Sequence, residues 1–163
     1  MTLTKTRFGL SLDTSGSMRS IARAAASDYN STISSIQVAS AKENQETLVS
    51  VVECGYGRTR CVRTIMNGVN VNSIKPMALQ DYVADGAGTP LFDSVGSLIE
   101  MFETSPDAND PDVSFLVMII TDGAENASVK YNARSIAEKI RTLNNTDRWT
   151  FVFRVPRGGS RSL

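Results

Sequence analysis

The sequence predicts an α/β domain built on a mainly parallel sheet, and three observations carry that prediction. Strand-like segments alternate with helical ones along the chain, the pattern of sheets with right-handed crossovers. The run from Val113 to Ile120 is almost continuously apolar, as suits a central strand covered on both faces. Two strands also stop abruptly, at Asp13 and Asp122, each followed by a loop containing glycine.

Phe8, Leu10 and Leu12 alternate with Gly9 and Ser11, the two-residue period of a strand that ends at Asp13. The period then lengthens. Met18, Ile21, Ala22, Ala25, Tyr29, Ile33 and Ile36 recur at helical spacing, with Ser17 placed to cap the helix. Leu48 to Cys54 and Arg58 to Met66 read as two strands joined by a tight glycine-containing turn, hence an antiparallel pair, and Asn67-Gly68 marks another turn. The stretch to Gly88 is irregular, with one short helix expected near Leu79 to Val83. Thr89-Pro90 begins the clearest helix, because threonine is a favoured cap and proline suits the first helical position. Leu91, Phe92, Val95, Leu98, Ile99 and Phe102 supply its apolar stripe. Ser105 to Asp112 is turn-rich. Ile136, Ala137, Ile140 and Leu143 mark a third amphipathic helix, Trp149 to Val155 a last strand, and 156–163 a loop or tail. One domain over 1–155 follows from this length.

Composition narrows the function classes. Acidic and basic residues cancel at 17 each, so no global field points to nucleic acid or an anionic membrane. No apolar run is long enough for a bilayer and no signal peptide is visible, so a cytoplasmic protein is expected. In that compartment Cys54 and Cys61 read as reduced thiols, with a pairing across a hairpin as the alternative. The chain has no histidine, which removes Ser-His-Asp and Cys-His nucleophile systems and the usual zinc site. Any metal must be held mainly by oxygen.

Ligands of open α/β sheets gather outside the carboxyl ends of the strands, where strand order reverses. If the first and fourth strands are neighbours there, Asp13 and Asp122 converge, and the loop before the Thr89 helix opens on the same edge. The i, i+2, i+4 spacing of Asp13, Ser15 and Ser17 lets one loop turn three oxygens inward, with Gly16 permitting the turn. Oxygen donors of this kind suit a hard cation, magnesium first, with manganese or calcium as alternatives. Neutral hydroxyls leave such an ion electrophilic, so a carboxylate from another molecule can complete it. Taken alone, Asp13-Thr-Ser-Gly-Ser is equally a strand-to-helix turn with a capping serine, and Asp122-Gly123 a common turn.

The Asp13-Thr-Ser-Gly-Ser-Met18 loop, Gly88-Thr-Pro-Leu-Phe-Asp-Ser-Val95 and Ile119-Ile-Thr-Asp-Gly-Ala-Glu-Asn126 together resemble the von Willebrand factor A domains, and intracellular bacterial and phage members above all. The resemblance covers nearly the whole chain. It implies a Rossmann-like fold with one antiparallel edge strand and helices on both faces. It also implies a metal-ion-dependent adhesion site (MIDAS) formed by Asp13, Ser15, Ser17, Thr89 and Asp122. Such domains act as protein-binding adaptors or assembly factors and are not generally enzymes, so the implied partner is a protein presenting Asp or Glu. The family fold continues with a sixth strand and a closing helix, whereas this chain ends after its fifth predicted strand, which would leave Trp149 to Val155 as an edge able to pair with another copy. Pro90 stiffens the threonine loop, against large switching there.

Other polar residues have plainer readings. Glu125 and Asn126 either shape the rim of the site or contact a partner, or else are exposed helix-start residues; Asp93 suits the helix dipole, with a metal role as the alternative. Arg58, Arg60 and Arg63 on the hairpin, and Arg154, Arg157 and Arg161 near the end, read as solvated, with weak phosphate contact as the alternative. Tyr56 is a candidate contact and Met18 a core residue. Two further functions compete with metal-dependent binding: a structural phage or complex subunit with a vestigial site, and a magnesium-dependent phosphoryl-transfer enzyme using Asp13 as nucleophile. The second lacks a lysine in the three motifs, a histidine base and a phosphate-cradling Gly-x-x-x-x-Gly-Lys loop.

Overall fold

The computed structural model describes residues 4–123 and 125–156. In chain order it contains β1 (Lys5–Asp13), a 3-10 turn (Gly16–Ile21), α1 (Ala22–Lys42), β2 (Glu46–Cys54), β3 (Val62–Asn70), α2 (Leu91–Glu103), β4 (Val113–Ile120), α3 (Ala133–Asn144) and β5 (Trp149–Arg154). Short 3-10 turns at Val71–Ser73 and Leu79–Asp81 break the stretch before α2. The strands form one sheet in the order β3-β2-β1-β4-β5, parallel except for the β2–β3 pair. This is the expected α/β architecture with one antiparallel edge strand. The predicted tail falls almost wholly outside the described residues, as do Arg157 and Arg161; Pro156, placed at its start, is buried.

Alternation along β1 sets the two layers. Phe8, Leu10 and Leu12 turn toward α1, where Met18, Tyr29 and Ile33 meet them with Val49 and Val51 of β2. Met18 is thus core, as its spacing predicts. On the other face β4 and β5 bury Phe115, Val117, Ile119 and Trp149 against Leu98, Ile99 and Phe102 of α2 and Ile136 and Leu143 of α3. The Phe115 and Trp149 rings stack at 4.4 Å, and Phe102 lies 5.7 Å from Phe115, so a shared aromatic cluster ties α2 to both strands. One polar pair enters this layer. Ser11 Oγ lies 2.7 Å from Ser94 Oγ, which itself donates to the Leu91 carbonyl, so both buried hydroxyls are satisfied.

Two predicted features of the β2–β3 hairpin are corrected. Arg58 and Arg60 are not in a strand: they lie in the loop 55–61, because its backbone bonds sideways instead of extending the ladder. Gly57 N donates to Asp85 Oδ1 at 2.8 Å, and Gly57 O accepts from Ala87 N at 2.9 Å. Nor is Asn67-Gly68 a turn between elements. The pairing steps from Val49–Val69 to Val51–Met66, which places an extra residue in β3. Gly68 supplies the left-handed conformation of that bulge (φ 67°), and its N–H donates to Ser50 Oγ.

The end of the sheet opposite the strand C-termini is fastened by charge. Arg7 Nε donates to Asp107 Oδ1 at 2.6 Å, and Ser105 Oγ to the same oxygen at 2.9 Å. Oδ2 accepts no hydrogen bond of good geometry; the Lys5 ammonium, 2.8 Å away, meets it as an ion pair. Burial pushes this carboxyl up, but the contacts from Arg7, Lys5 and Ser105 outweigh it and hold the group well below its ordinary value. A depressed carboxyl contributes stability that is present above its unfolded value and lost as pH falls toward the folded one. Asp107→Asn is therefore expected to cost about 2 kcal/mol at neutral pH. It should also flatten the loss of stability below about pH 4. Urea unfolding across that range measures both.

Candidate metal centre

Because β1 and β4 are neighbours, with Leu12 beside Ile120, the two aspartate-ended strands open on the same edge of the sheet. Asp13 is fully buried and Asp122 nearly so. Asp13 Oδ1 accepts from Ser15 N (2.9 Å) and Ser15 Oγ (2.6 Å), and Oδ2 accepts from Thr121 Oγ1 (2.9 Å). Ser17 Oγ donates to Asp122 Oδ2 at 2.5 Å, and the Ser15 and Ser17 hydroxyl oxygens lie 3.1 Å apart. Four of the five expected residues thus form one chain of contacts, Asp13–Ser15–Ser17–Asp122. Only Ser17 among them reaches the surface.

Proton counting shows what this cluster is suited to hold. A hydroxyl carries one proton, and an ionised carboxylate can only accept. Ser15 and Ser17 therefore each spend their proton on an aspartate. The 3.1 Å contact between their oxygens is left with lone pairs on both sides. Burial pushes the Asp13 carboxyl up; the Ser15 and Thr121 bonds oppose it, and the nearby charge of Asp122 adds to it. Among the described residues no Lys or Arg forms an ion pair with Asp13. Two carboxylates and converging hydroxyl lone pairs fit a hard divalent cation. Among the described residues no three His, Cys, Asp or Glu side chains cluster as a metal-ligand group, so hydroxyls must complete the donor set.

Thr89 stands outside that chain of bonds but on the adjoining loop. It is 2% exposed, its N–H donates to Asn126 Oδ1 at 2.7 Å, and its carbonyl accepts from Asn126 N at 3.1 Å. The loop before it is joined to the Asp13 loop by a two-bond bridge: Gly16 N to Gly86 O at 2.9 Å and Gly86 N to Thr14 O at 3.0 Å. Packing there is tight. A Cβ on Gly86 would sit 1.9 Å from Gly55 O, and one on Gly55 (φ 81°) 1.9 Å from Gly88 O.

The two expected caps are corrected. Ser17 makes no capping bond; its hydroxyl goes to Asp122, and α1 starts at Ala22 after a 3-10 turn. Thr89 does not cap α2 either, since the helix begins at Leu91 with Pro90 at the cap position and no side-chain bond there. The capping comes from a distant loop. Glu125 Oε2 accepts from Phe92 N at 3.0 Å, Ser128 Oγ accepts from Asp93 N at 3.0 Å, and Glu125 also binds Ala127 N, Ser128 N and Ser128 Oγ. Asp93 returns the contact by accepting from the N–H groups of Val129, Lys130 and Tyr131. Of the two readings open for Glu125 and Asn126, the structure favours shaping the rim: half-buried Glu125 and exposed Asn126 both brace the loop before α2 and its first turn.

Sequence reasoning leaves two supporting groups unassigned. Thr121 lies within the Ile119–Asn126 motif, where a hydroxyl one residue before the aspartate is the available signal. The Tyr82 hydroxyl donates to the Asp13 carbonyl from an irregular stretch whose pattern says nothing about its direction. Of the hairpin residues, Arg63 is paired with Glu53 and lies over the Tyr56 ring, so neither is a free contact. Arg154 pairs with Asp28. Removing the Glu125 brace should leave several backbone donors unpaired. Glu125→Ala is expected to cost about 2–3 kcal/mol, read as a lower urea midpoint with an unchanged slope.

No family model matches the chain, and no curated protein matches it in sequence. Among solved structures, proximal thread matrix protein 1 from the mussel byssus aligns over 94% of this chain and 38% of its own, at 16% identity with a TM-score of 0.63. A second structure of that protein, with a zinc-occupied MIDAS motif, gives 0.64 at 16% identity over the same shares. The pilus adhesin SpaC from Lactobacillus rhamnosus GG, in an open conformation, covers 77% of this chain and 15% of its own, with 16% identity and a TM-score of 0.54. The chain therefore spans well under half the length of these proteins. At these identities the likeness speaks for the fold: the chain has a von Willebrand factor A-like fold.

Proposed function

We propose that this domain is a non-enzymatic, metal-dependent protein-binding module, with Asp13, Ser15, Ser17, Thr89 and Asp122 as the residues that would hold a divalent cation, magnesium by preference. The observation that carries the reading is the pair of serine oxygens facing each other with their protons committed to two aspartates. When bound, the cation supplies an electrophilic position that a carboxylate oxygen of another molecule can fill. The neighbour with a zinc-occupied MIDAS motif supports the metal part of the reading. The chain's own residues do the rest. Thr121 and Ser15 fix the Asp13 carboxylate, Asn126 holds Thr89 by its backbone, and Ser17 leaves the cluster open to solvent. No histidine is available as a base. A cytosolic setting and an acidic protein partner belong to the same reading; the free thiols of Cys54 and Cys61 support the former.

Saturating magnesium, at about a hundredfold over its dissociation constant, should stabilise the protein by about 2.7 kcal/mol. Asp13→Ala should abolish that stabilisation and calorimetric metal binding while circular dichroism keeps its folded spectrum. Partner capture should vanish in chelator. A partner held equally well without metal would overturn the proposal.

A second reading is favoured by one observation. Among the described residues β5 pairs with β4 alone, and Phe153 on it is 48% exposed, so this edge suits pairing with a second copy. Light scattering decides between the two: assembly that ignores chelator and is lost in Phe153→Lys would place the contact at β5, and a monomer at all concentrations would remove this reading.

A further inference from the structure

Two arginines without an ion pair among the described residues lie against the loops that carry the acidic cluster. Arg19 lies within the 3-10 turn that follows the Asp13 loop. Its Nε donates to the Ala84 carbonyl at 3.1 Å, and its Nη2 lies 3.7 Å from where a Cβ on Gly16 would be. One guanidinium is thus held over the backbone of the metal loop with its outer N–H groups unspent. Arg60 lies against the Thr89 loop. Its Cγ lies 3.2 Å from where a Cβ on Gly88 would be, against the residue that precedes Thr89. The loop that carries Arg60 is fixed to the Thr89 loop by the Gly57–Ala87 and Gly57–Asp85 bonds. Both arginines are exposed, and neither has an ion pair among the described residues.

Lys5, Arg7, Arg63, Lys130, Arg134, Lys139 and Arg154 have carboxylate partners, whereas Arg23, Lys42, Arg58, Lys75, Arg141 and Arg148, like Arg19 and Arg60, have none among the described residues. What sets Arg19 and Arg60 apart is their place against the loops of the site. The nearby acids are already committed: Glu125 and Asp93 to backbone N–H groups, Asp85 to Gly57 N, and Glu53 to Arg63. Guanidiniums held on the loops beside a carboxylate-receiving position offer forked donors to further carboxylates.

The geometry points to a partner segment carrying several acidic side chains, one seated at the metal position and others at Arg19 and Arg60. The inference rests on the metal-binding reading and narrows its ligand from one carboxylate to an acidic run. The rim arginines set specificity and encounter rate more than total affinity, as exposed charges do.

Two synthetic probes test it by fluorescence anisotropy in magnesium buffer: a glycine-alanine peptide with one glutamate, and one with three glutamates separated by single glycines. Wild-type protein should bind the second about fivefold tighter. Arg60→Ala, and more fully Arg19→Ala with Arg60→Ala, should erase that preference while leaving the one-glutamate affinity unchanged, and Arg60→Lys should retain part of it. Because Arg19 also braces Ala84, the Arg60 variants keep the test independent of any local loosening. No preference in the wild type, or a preference untouched by the substitutions, overturns the inference. Asp13→Ala and chelator test the metal separately: loss of both peptides supports it, whereas arginine-dependent binding that survives chelator overturns the metal reading and leaves the rim standing.

Discussion

Taking a carboxylate out of water at the end of a central strand costs free energy unless its lone pairs are met. Asp13 sits there with no exposed surface. Ser15 supplies a backbone and a hydroxyl donor from two residues on, Thr121 a hydroxyl from the neighbouring strand, and the Tyr82 hydroxyl takes the carbonyl of the same residue. These are neutral groups, so they satisfy the charge without cancelling it. Had an arginine or lysine been placed against Asp13, burial would be easier and the site would be a structural ion pair. Among the described residues no cation pairs with Asp13, so its charge is met by neutral donors at the edge where the loops meet.

That choice demands rigidity around it, and the loops show how it is obtained. The Asp13, Thr89 and hairpin loops are locked backbone to backbone through Thr14, Gly86, Gly57 and Ala87, with Gly55 and Gly86 where any side chain would collide. The loop after Asp122 is locked to α2 by reciprocal caps, Glu125 on the helix N-terminus and Asp93 on the loop. Each cap meets N–H groups that would otherwise be unpaired, and the loop that caps the start of α2 also carries Asn126, which holds Thr89. Stability and site geometry are one construction here. Loosening a cap should move the oxygens before it unfolds the core.

The fold and the identity of the clustered residues were legible because both rest on short, directional patterns. The two-residue period of Phe8-Leu10-Leu12 marked β1 and its buried face, and the apolar run from Val113 marked β4. Asp13 and Asp122 had to converge once those strands were neighbours. The less legible features depend on contacts between segments far apart in the chain. Ser17 reads as a cap because capping is local, and it donates to Asp122 because tertiary structure brings a stronger acceptor within reach. Gly68 reads as a turn because a positive φ serves turns and bulges alike, and only pairing with β2 decides between them. Tyr82 carried no pattern at all.

The neutral composition conceals a local order that bears on how such an edge meets a partner. Acidic groups are buried at the floor and arginines stand exposed at the rim, so the two signs are separated by depth and not by face. Exposed charges act over about 8 Å at physiological salt and are screened beyond that. Buried ones act mainly on what touches them. An approaching acidic segment would therefore feel the Arg19 and Arg60 field first and the buried aspartates last. Those aspartates would oppose it at contact unless a cation lay between. The rim alone gives encounter without a seat, and the floor alone gives a seat without guidance. Loading the floor with a divalent ion removes the opposition, so one chemical event would turn a weakly attracting edge into a binding one.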